Sequence, residues 1–288
     1  MSALPDAPFC VLKVGGSVLT DRERIRTVNA DALRQTAAAL AGWLPRAPGP
    51  VVLVVGGGSF GHNVVAEHGL SLDGRHAQPA EAFELTASLF ALKAAVARAL
   101  ADQGVRVMPL QETLLFGWGK EGARLTRPSV LSRCRAGGWL PLVTGGLVPR
   151  RGGVLQVMSS DRVARAVAGA FPVRRYVVLT DRPGLCDPFR AGFPLVRRVS
   201  AERHAEAMTL VRPATRLDVN GAMREKLLSV LELAARGVES VIGDGRELDA
   251  GTLATCFGDD PPGTCVEAAP TTAVSAPTPR SFAPIPPG

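Results

Sequence analysis

Four side chains in this 288-residue chain stand where the backbone is richest in glycine or where a helix begins. Lys13 lies two residues before Gly15-Gly16-Ser17, and His62 closes Gly56-Gly57-Gly58-Ser59-Phe60-Gly61. Asp161 follows Ser159-Ser160, and Lys226 lies five residues after Gly221. Successive glycines let backbone N–H groups crowd around an anion, and a helix starting directly afterwards adds the positive end of its dipole. Apart from Asp161 the inventory is made of donors. That composition suits phosphoryl transfer, whose transition state spreads negative charge over oxygens and needs neutralising more than attacking. Each lysine within ~4 Å of that charge supplies a few kcal/mol at the effective dielectric of a partly buried site. Of 33 basic residues only Lys13, Lys93, Lys120 and Lys226 are lysine. A compact ammonium fits between phosphate oxygens as a point charge, where a guanidinium is broader and planar.

These residues must be held by a scaffold, and the hydrophobic pattern supplies one. Residues 9–14 (FCVLKV) and 51–55 (VVLVV) read as short buried strands, each running straight into glycines. Between them residues 30–43 place Leu33, Ala37 and Leu40 on one helical face, with Asn29 or Asp31 as the cap and Pro45 to break the helix. Strand, helix, strand is the βαβ unit of a parallel sheet, and it brings both glycine loops to one carboxyl edge. A long helix opens at Pro79 and runs to about Ala101; its Phe83, Leu89, Phe90 and Ala97 are candidates to pack on the sheet or face a substrate. Further on come a strand over 105–110, a hairpin over 114–125, a helix over 131–135 and a strand over 140–143 that ends in Thr144-Gly145-Gly146. A helix is expected over 162–170, with Ser159, Ser160 or Asp161 at its amino end. Strands over 176–179 and 238–242 flank a helix carrying Lys226. From about residue 268 the chain is rich in proline, alanine and threonine and reads as a disordered tail.

Composition excludes several classes. Hydrophobic residues make up 46% and charged residues 20%, as in an ordinary globular protein. No apolar run is long enough to span a bilayer and no leader opens the chain, so a cytoplasmic protein is expected. Five scattered cysteines without CxxC spacing suggest neither a disulfide framework nor a zinc site. The net charge of +7 fits an anionic small molecule. Nucleic acid is not expected as a partner, because the basic residues are dispersed and not interleaved with aromatics.

Five segments in order carry a resemblance: Lys13-x-Gly15-Gly16-Ser17, Gly56 through His62, Ser160-Asp161, Leu179-Thr180-Asp181-x-x-Gly184, and Asp218-x-x-Gly221-x-Met223-x-x-Lys226. Together they resemble the amino acid kinase superfamily over residues 9–267. The Phe60-Gly61-His62 loop is similar to the branch of isopentenyl phosphate kinases and fosfomycin kinases. The resemblance implies an α/β fold, an open αβα sandwich with a mainly parallel central sheet. It implies an acceptor lobe over about 9–150, a nucleotide lobe over about 151–267, ATP with Mg2+ as cofactors, and a homodimer. It further implies that Lys13 and Lys226 grip the transferring group and that Asp161 orients them. Gly15, Gly16, Ser17, Thr180, Asp181, Gly184 and Gly221 would lie by the nucleotide. Gly57, Gly58, Ser59, Gly61 and His62, with Gly145 and Gly146, would line the site of a phosphate- or phosphonate-bearing acceptor. Isopentenyl phosphate is favoured on the apolar helix after the loop, with fosfomycin as the alternative acceptor. A non-catalytic anion-binding module is the alternative of another class, and the presence of both lysines, Asp161 and His62 argues against it. The sequence departs from the family pattern at Arg22, where a lysine is usual, at Gly146, where an aspartate is usual, and at Arg182-Pro183 within the Thr180–Gly184 loop.

Overall fold

The structure, a computed structural model, describes residues 7–21, 23–70, 77–119, 122–150, 152–211 and 222–270. Arg22, Gly221 and the part of the expected tail from residue 271 onward lie outside the described residues. The first half of the chain contains β1 (Phe9–Val14), α1 (Gly16–Leu19), α2 (Ala30–Trp43), β2 (Val51–Val55), α3 (Gly58–Glu67), α4 (Pro79–Asp102), β3 (Val107–Pro109), α5 (Glu112–Leu115), β4 (Phe116–Gly119), β5 (Gly122–Leu125), α6 (Pro128–Ala136) and β6 (Leu140–Thr144). The second half contains β7 (Gly146–Pro149), β8 (Leu155–Met158), α7 (Ser160–Ala168), β9 (Val173–Thr180), β10 (Arg198–Val199), α8 (His204–Ala207), α9 (Ala222–Ala234), β11 (Ser240–Asp244), α10 (Ala250–Cys256) and β12 (Thr264–Val266).

One eight-stranded sheet runs through both halves in the order β10-β12-β11-β9-β1-β2-β6-β3. Every pairing in it is parallel except β11 with β12. This is the expected α/β architecture. β1 lies in the middle, paired on one side to β2 and on the other to β9, so Lys13 faces Val54 and Val178 in register. All six residues of β1 and all five of β2 are buried, as strands covered on both faces must be.

The period of two assigns β1's side chains to opposite faces. Cys10, Leu12 and Val14 join the core under α2 with Leu33, Ala37, Leu40 and Trp43. Phe9 and Val11 join the core under α7 and α9 with Val163, Val167, Leu227 and Val230. Lys13 shares the parity of Phe9 and Val11, so its stem points toward α7 and α9. At about 1.5–3 kcal/mol per fully buried large apolar side chain, these two layers fix the strand and hence the lysine.

Most expected boundaries shift by a few residues, and two differences have structural consequences. The hairpin β7–β8 was not anticipated, because Pro149, Gly152 and Gly153 interrupt its alternation. The helix expected over 162–170 begins at Ser160, with Ser159 as its cap: the Ser159 hydroxyl accepts from the Arg162 N–H at 3.3 Å. Asp161 therefore sits inside the first turn and does not cap it. At the far end the chain is still tied at Ala269, whose N–H donates to the Ala234 carbonyl at 2.8 Å.

Candidate active site

The two glycine loops interlock backbone to backbone. The Gly15 N–H donates to the Leu179 carbonyl at 2.8 Å, and the Gly56 N–H to the Val14 carbonyl at 2.9 Å. A Cβ on Gly16 would fall 2.1 Å from the Gly58 nitrogen, and one on Gly56 would fall 2.4 Å from the Gly16 nitrogen. No side chain fits at either position. Gly58 has φ +48 and lies against Thr20, whose Oγ1 donates to the Gly16 carbonyl at 2.7 Å and accepts from the Ser59 N–H at 3.0 Å. The loops of β1 and β2 are thus one unit. From Gly57 the chain passes directly into α3, and His62 stands exposed in its second turn. The Ser59 hydroxyl exchanges hydrogen bonds with the backbone of Thr27, so it fastens the loop before α2.

Lys13 is 2% exposed and forms an ion pair with Asp161, itself 6% exposed. Burial pushes the Lys13 ammonium down to about 8, against the attraction of Asp161 and with help from the repulsion of Lys226. Burial also works to raise the Asp161 carboxyl, but Lys13, Lys226 and Arg165 outweigh it and hold the group below the usual carboxylate range. Lys226, half-buried on α9, acts on both groups. Tyr176 beside them stays neutral, its phenol raised by burial and then by the charge of Asp161. The centre is an anion between two cations, with one cation at the end of a buried strand.

Thr180 and Asp181 follow at the carboxyl end of β9, where the Thr180 Oγ1 donates to Asp181 Oδ1 at 3.1 Å and the Thr180 carbonyl accepts from the Gly245 N–H at 2.8 Å. Gly184 has φ +150, and a Cβ there would meet Thr264 Oγ1 at 2.6 Å. On the other side of β1, Gly145 packs against the start of α7: a Cβ would lie 2.7 Å from the Met158 carbonyl and 2.8 Å from the Ser160 nitrogen. Lys13, Asp161 and Lys226 are therefore brought together, Gly15–Gly16 join Gly56–Gly58, and Gly145 joins the helix that bears Asp161.

Sequence reasoning missed a second buried pair. Lys93 of α4 donates to Glu112 Oε1 and Oε2 at 2.8 and 2.7 Å and to the Leu110 carbonyl at 2.6 Å. Glu112 Oε1 also accepts from the Thr144 N–H at 2.7 Å. The signal for Lys93 was present, since a lysine at 93 falls in the buried stripe of Leu85, Leu89, Leu92 and Val96.

Buried glycine loops that admit no Cβ, a desolvated lysine paired with an aspartate, and a second lysine acting on both suit a phosphotransferase centre on a parallel α/β sheet. The comparisons agree with that class. The sequence profile of the amino acid kinase family matches residues 8–244, and the chain belongs to that family. It is an ATP-dependent phosphotransferase. The chain is 30% identical over 227 residues to an isopentenyl phosphate kinase of Haloferax volcanii, covering 78% of this chain and 88% of the relative. It is 29% identical over 133 residues to an acetylglutamate kinase of Brucella canis, 46% of this chain and 41% of that one. Among solved structures, an isopentenyl phosphate kinase superposes with a TM-score of 0.70 at 21% identity, covering 89% of this chain and 99% of the other. A product complex of the T. acidophilum isopentenyl phosphate kinase gives 0.66 at 21% identity, over 91% and 100%.

The site fits ATP: the amides around the glycines offer donors, and Lys13 offers a fixed cation. Asp161 is already taken by Lys13. A magnesium ion would therefore come held by the nucleotide's phosphate oxygens, the usual mode for this hard cation, and would add positive charge at the transferring group.

The low Lys13 value gives a pH dependence. As pH rises through about 8 the free enzyme loses the Lys13 ammonium, so, on the expectation that this charge neutralises the transferring group, kcat/KM should fall above that point. Bound phosphates favour the protonated form, so the alkaline limb of kcat lies at higher pH than that of kcat/KM. Stability moves the other way. The folded-state value lies below the ordinary lysine value of 10.5, so between about 8 and 10.5 the unfolded chain holds more protons, and Lys13 disfavours folding less as pH climbs through that window. Rate profiles for wild type and Lys13→Met test this; a limb near 8 that persists in Lys13→Met would belong to another group.

Proposed function

We propose that the chain transfers the γ-phosphoryl group of MgATP to an acceptor that already carries a phosphate, with isopentenyl phosphate as acceptor and isopentenyl diphosphate as product. The observation that carries this reading is a centre rich in cations and poor in free base. An alcohol acceptor must lose a proton as it attacks, and needs a carboxylate to take or orient it. Asp161 is bound to Lys13, and Glu112, the other buried acid near the Gly145–Gly146 turn, has both oxygens engaged by Lys93. A phosphate monoester, with a second pKa of ~6, is mostly dianionic at neutral pH and needs no base. One of its oxygens attacks the γ-phosphorus, the bond to the bridging β-oxygen breaks, and ADP leaves. No proton is transferred.

In this reading His62 and the amides of Gly57 and Gly58 hold the acceptor's phosphate, Gly61, whose N–H donates to the Gly57 carbonyl, lets it approach α3 closely, and Gly145 and Gly146 border it. Lys13, Lys226, Gly15, Gly16 and Ser17 serve the γ-phosphate, with Thr180, Asp181, Gly184 and Gly221 toward the nucleotide. The amino-terminal half is the acceptor lobe, residues from about 151 to 267 form the nucleotide lobe, and the enzyme works in the cytoplasm. The apolar side of the acceptor pocket is supported by Leu89, whose Cδ2 comes within 3.3 Å of a Cβ position on Gly57 and 3.5 Å of one on Gly61. The similarity to the Haloferax volcanii enzyme supports the choice of acceptor. The test offers MgATP with isopentenyl phosphate, dimethylallyl phosphate, fosfomycin, other phosphonates and amino acids, and measures ADP release. Preferred turnover of isopentenyl phosphate is expected, and His62→Ala should raise its KM by about 10-fold or more with little change in that for MgATP. Selective turnover of an amino acid or plain alcohol would overturn the phosphate-acceptor reading.

The enzyme acts as a homodimer through the outer face of α4. Phe83 and Phe90, one heptad apart, are 75% and 49% exposed, with exposed Ala87, Ala91 and Ala94 on the same side. Small residues between two aromatics let a second copy of the helix approach closely across a two-fold axis. Both rings are exposed, whereas Leu89 is buried beside Gly57 and Gly61. Phe83→Asp/Phe90→Asp should halve the mass measured by light scattering; an unchanged mass would place the interface elsewhere. Among the described residues no helix is long and apolar enough to cross a membrane.

A further inference from the structure

The mechanism above leaves one buried charged group unused. Lys93 and Glu112 are 2% and 3% exposed, and charged side chains are rarely buried this deeply unless something requires them. A buried ion pair contributes little net stability, because the cost of desolvating both charges offsets their attraction. An apolar pair of similar volume would serve the core as well, so the hydrogen bonds these two groups make to the backbone need an explanation.

Lys93 donates to the Leu110 carbonyl at 2.6 Å, and the bonds of Glu112 converge on one turn. Glu112 Oε1 accepts from the Thr144 N–H at 2.7 Å and the Thr144 hydroxyl at 3.1 Å, and the same hydroxyl lies 2.6 Å from the Gly145 carbonyl. Thr144 is the last residue of β6 and is fully buried. Immediately after it, Gly145 touches the backbone of Met158, Ser159 and Ser160 so closely that no Cβ could intervene. A Cβ on Gly146 would lie 3.5 Å from Glu112 Cβ and 3.7 Å from Oε2, so the glutamate also borders the place where the family pattern has an aspartate. Asp161 is one residue beyond Ser160 and holds Lys13.

We infer that Lys93 and Glu112 are a positioning pair: Lys93 orients the Glu112 carboxylate, which fixes the turn Thr144-Gly145-Gly146 and, through the backbone contact of Gly145, the amino end of α7 that carries Asp161. The pair touches neither nucleotide nor acceptor. It sets the distance between the acceptor-side turn and the Lys13–Asp161 centre, a distance on which transfer rates depend steeply. The assignment of Gly145–Gly146 to the acceptor rests on the proposed function; the link from Glu112 to α7 does not.

Two double variants separate positioning from charge pairing. Lys93→Met/Glu112→Gln and Lys93→Met/Glu112→Leu are both neutral at these sites and similar in volume. They differ in that the glutamine carbonyl still accepts from the Thr144 N–H. With whichever acceptor the wild type turns over, the Leu double variant should show acceptor KM raised about 10-fold or more and KM for MgATP changed less than about 3-fold, while the Gln double variant, which keeps an acceptor for the Thr144 N–H but loses the ammonium that orients it, should fall between the Leu variant and wild type. Amide hydrogen exchange supplies a readout that needs no acceptor: Thr144, Gly145 and Ser160 should exchange faster in the Leu variant, with the centre of β9 unaffected. If the Leu variant does not fold, Thr144→Val, which removes the hydroxyl link alone, should still raise acceptor KM by ~3-fold or more relative to wild type. Equal kinetics and equal local exchange in the two doubles, or a Thr144→Val enzyme with wild-type kinetics, would reduce the pair to a structural ion pair and overturn the inference. A different preferred acceptor in the wild type would revise the proposed function and leave the exchange result standing.

Discussion

Replacing Lys13 by alanine should lower kcat by about two to three orders of magnitude, roughly 3–4 kcal/mol of barrier, and leave KM for MgATP within a few-fold. The reason is preorganisation. Lys13 stands on the central strand of the sheet, is held by Asp161, and has lost its water, so in the proposed mechanism its charge needs no reorganisation when negative charge builds on the transferring oxygens. Ground-state ATP shares its charge with magnesium and with the glycine amides, which is why affinity suffers less than rate. Lys226→Ala should behave alike with a smaller loss of stability, because Lys226 is half-buried on α9 and Lys13 is enclosed. Steady-state kinetics on folded protein, checked by circular dichroism, decide the matter. An unchanged kcat in Lys13→Ala would remove Lys13 from the chemistry.

The parts of this centre that were legible in the sequence are those governed by local rules. β1 and β2 match their expected bounds because short apolar runs between turn residues have few alternatives. The parallel pairing of β1 with β2 follows from the helix between them, and it brings Gly15–Gly16 to Gly56–Gly58. Lys13 could be assigned to one face of the sheet by counting in twos, but nothing local says that α7 covers that face. The motif resemblance supplied Asp161 as partner, and the structure adds that it lies within the first turn of α7. Glu112 was illegible for a physical reason. It belongs to a one-turn helix with no periodicity of its own, and its partners, Lys93 and Thr144, lie 19 and 32 residues away. Such contacts depend on how α4 and β6 pack, which no window of sequence contains. Ser59 shows the opposite case: it follows Gly57 and Gly58 in the first turn of α3, and its hydroxyl fastens Thr27.

Asp161→Asn tests the centre from the anionic side and should have the largest effect on stability. Asparagine keeps the shape of aspartate and removes the charge, leaving Lys13 enclosed without its ion-pair partner and with Lys226 still repelling it. Breaking a buried pair from one side costs on the order of 3–5 kcal/mol, or a fall in melting temperature of about 6–15 °C for a chain of this size. The acid response should change too. The Asp161 carboxyl is held below its ordinary range in the folded state, so its stabilisation is present above the unfolded value of 3.8 and is lost as pH falls through the lower, folded value. The variant lacks that loss, and its deficit relative to wild type should narrow toward low pH. Activity should change in the opposite part of the scale: without the attraction of Asp161 the Lys13 ammonium falls below its wild-type value of about 8, so the alkaline limb of kcat/KM should move toward neutrality or below. A variant with wild-type melting temperature and an unmoved limb would mean that Asp161 neither balances nor positions Lys13.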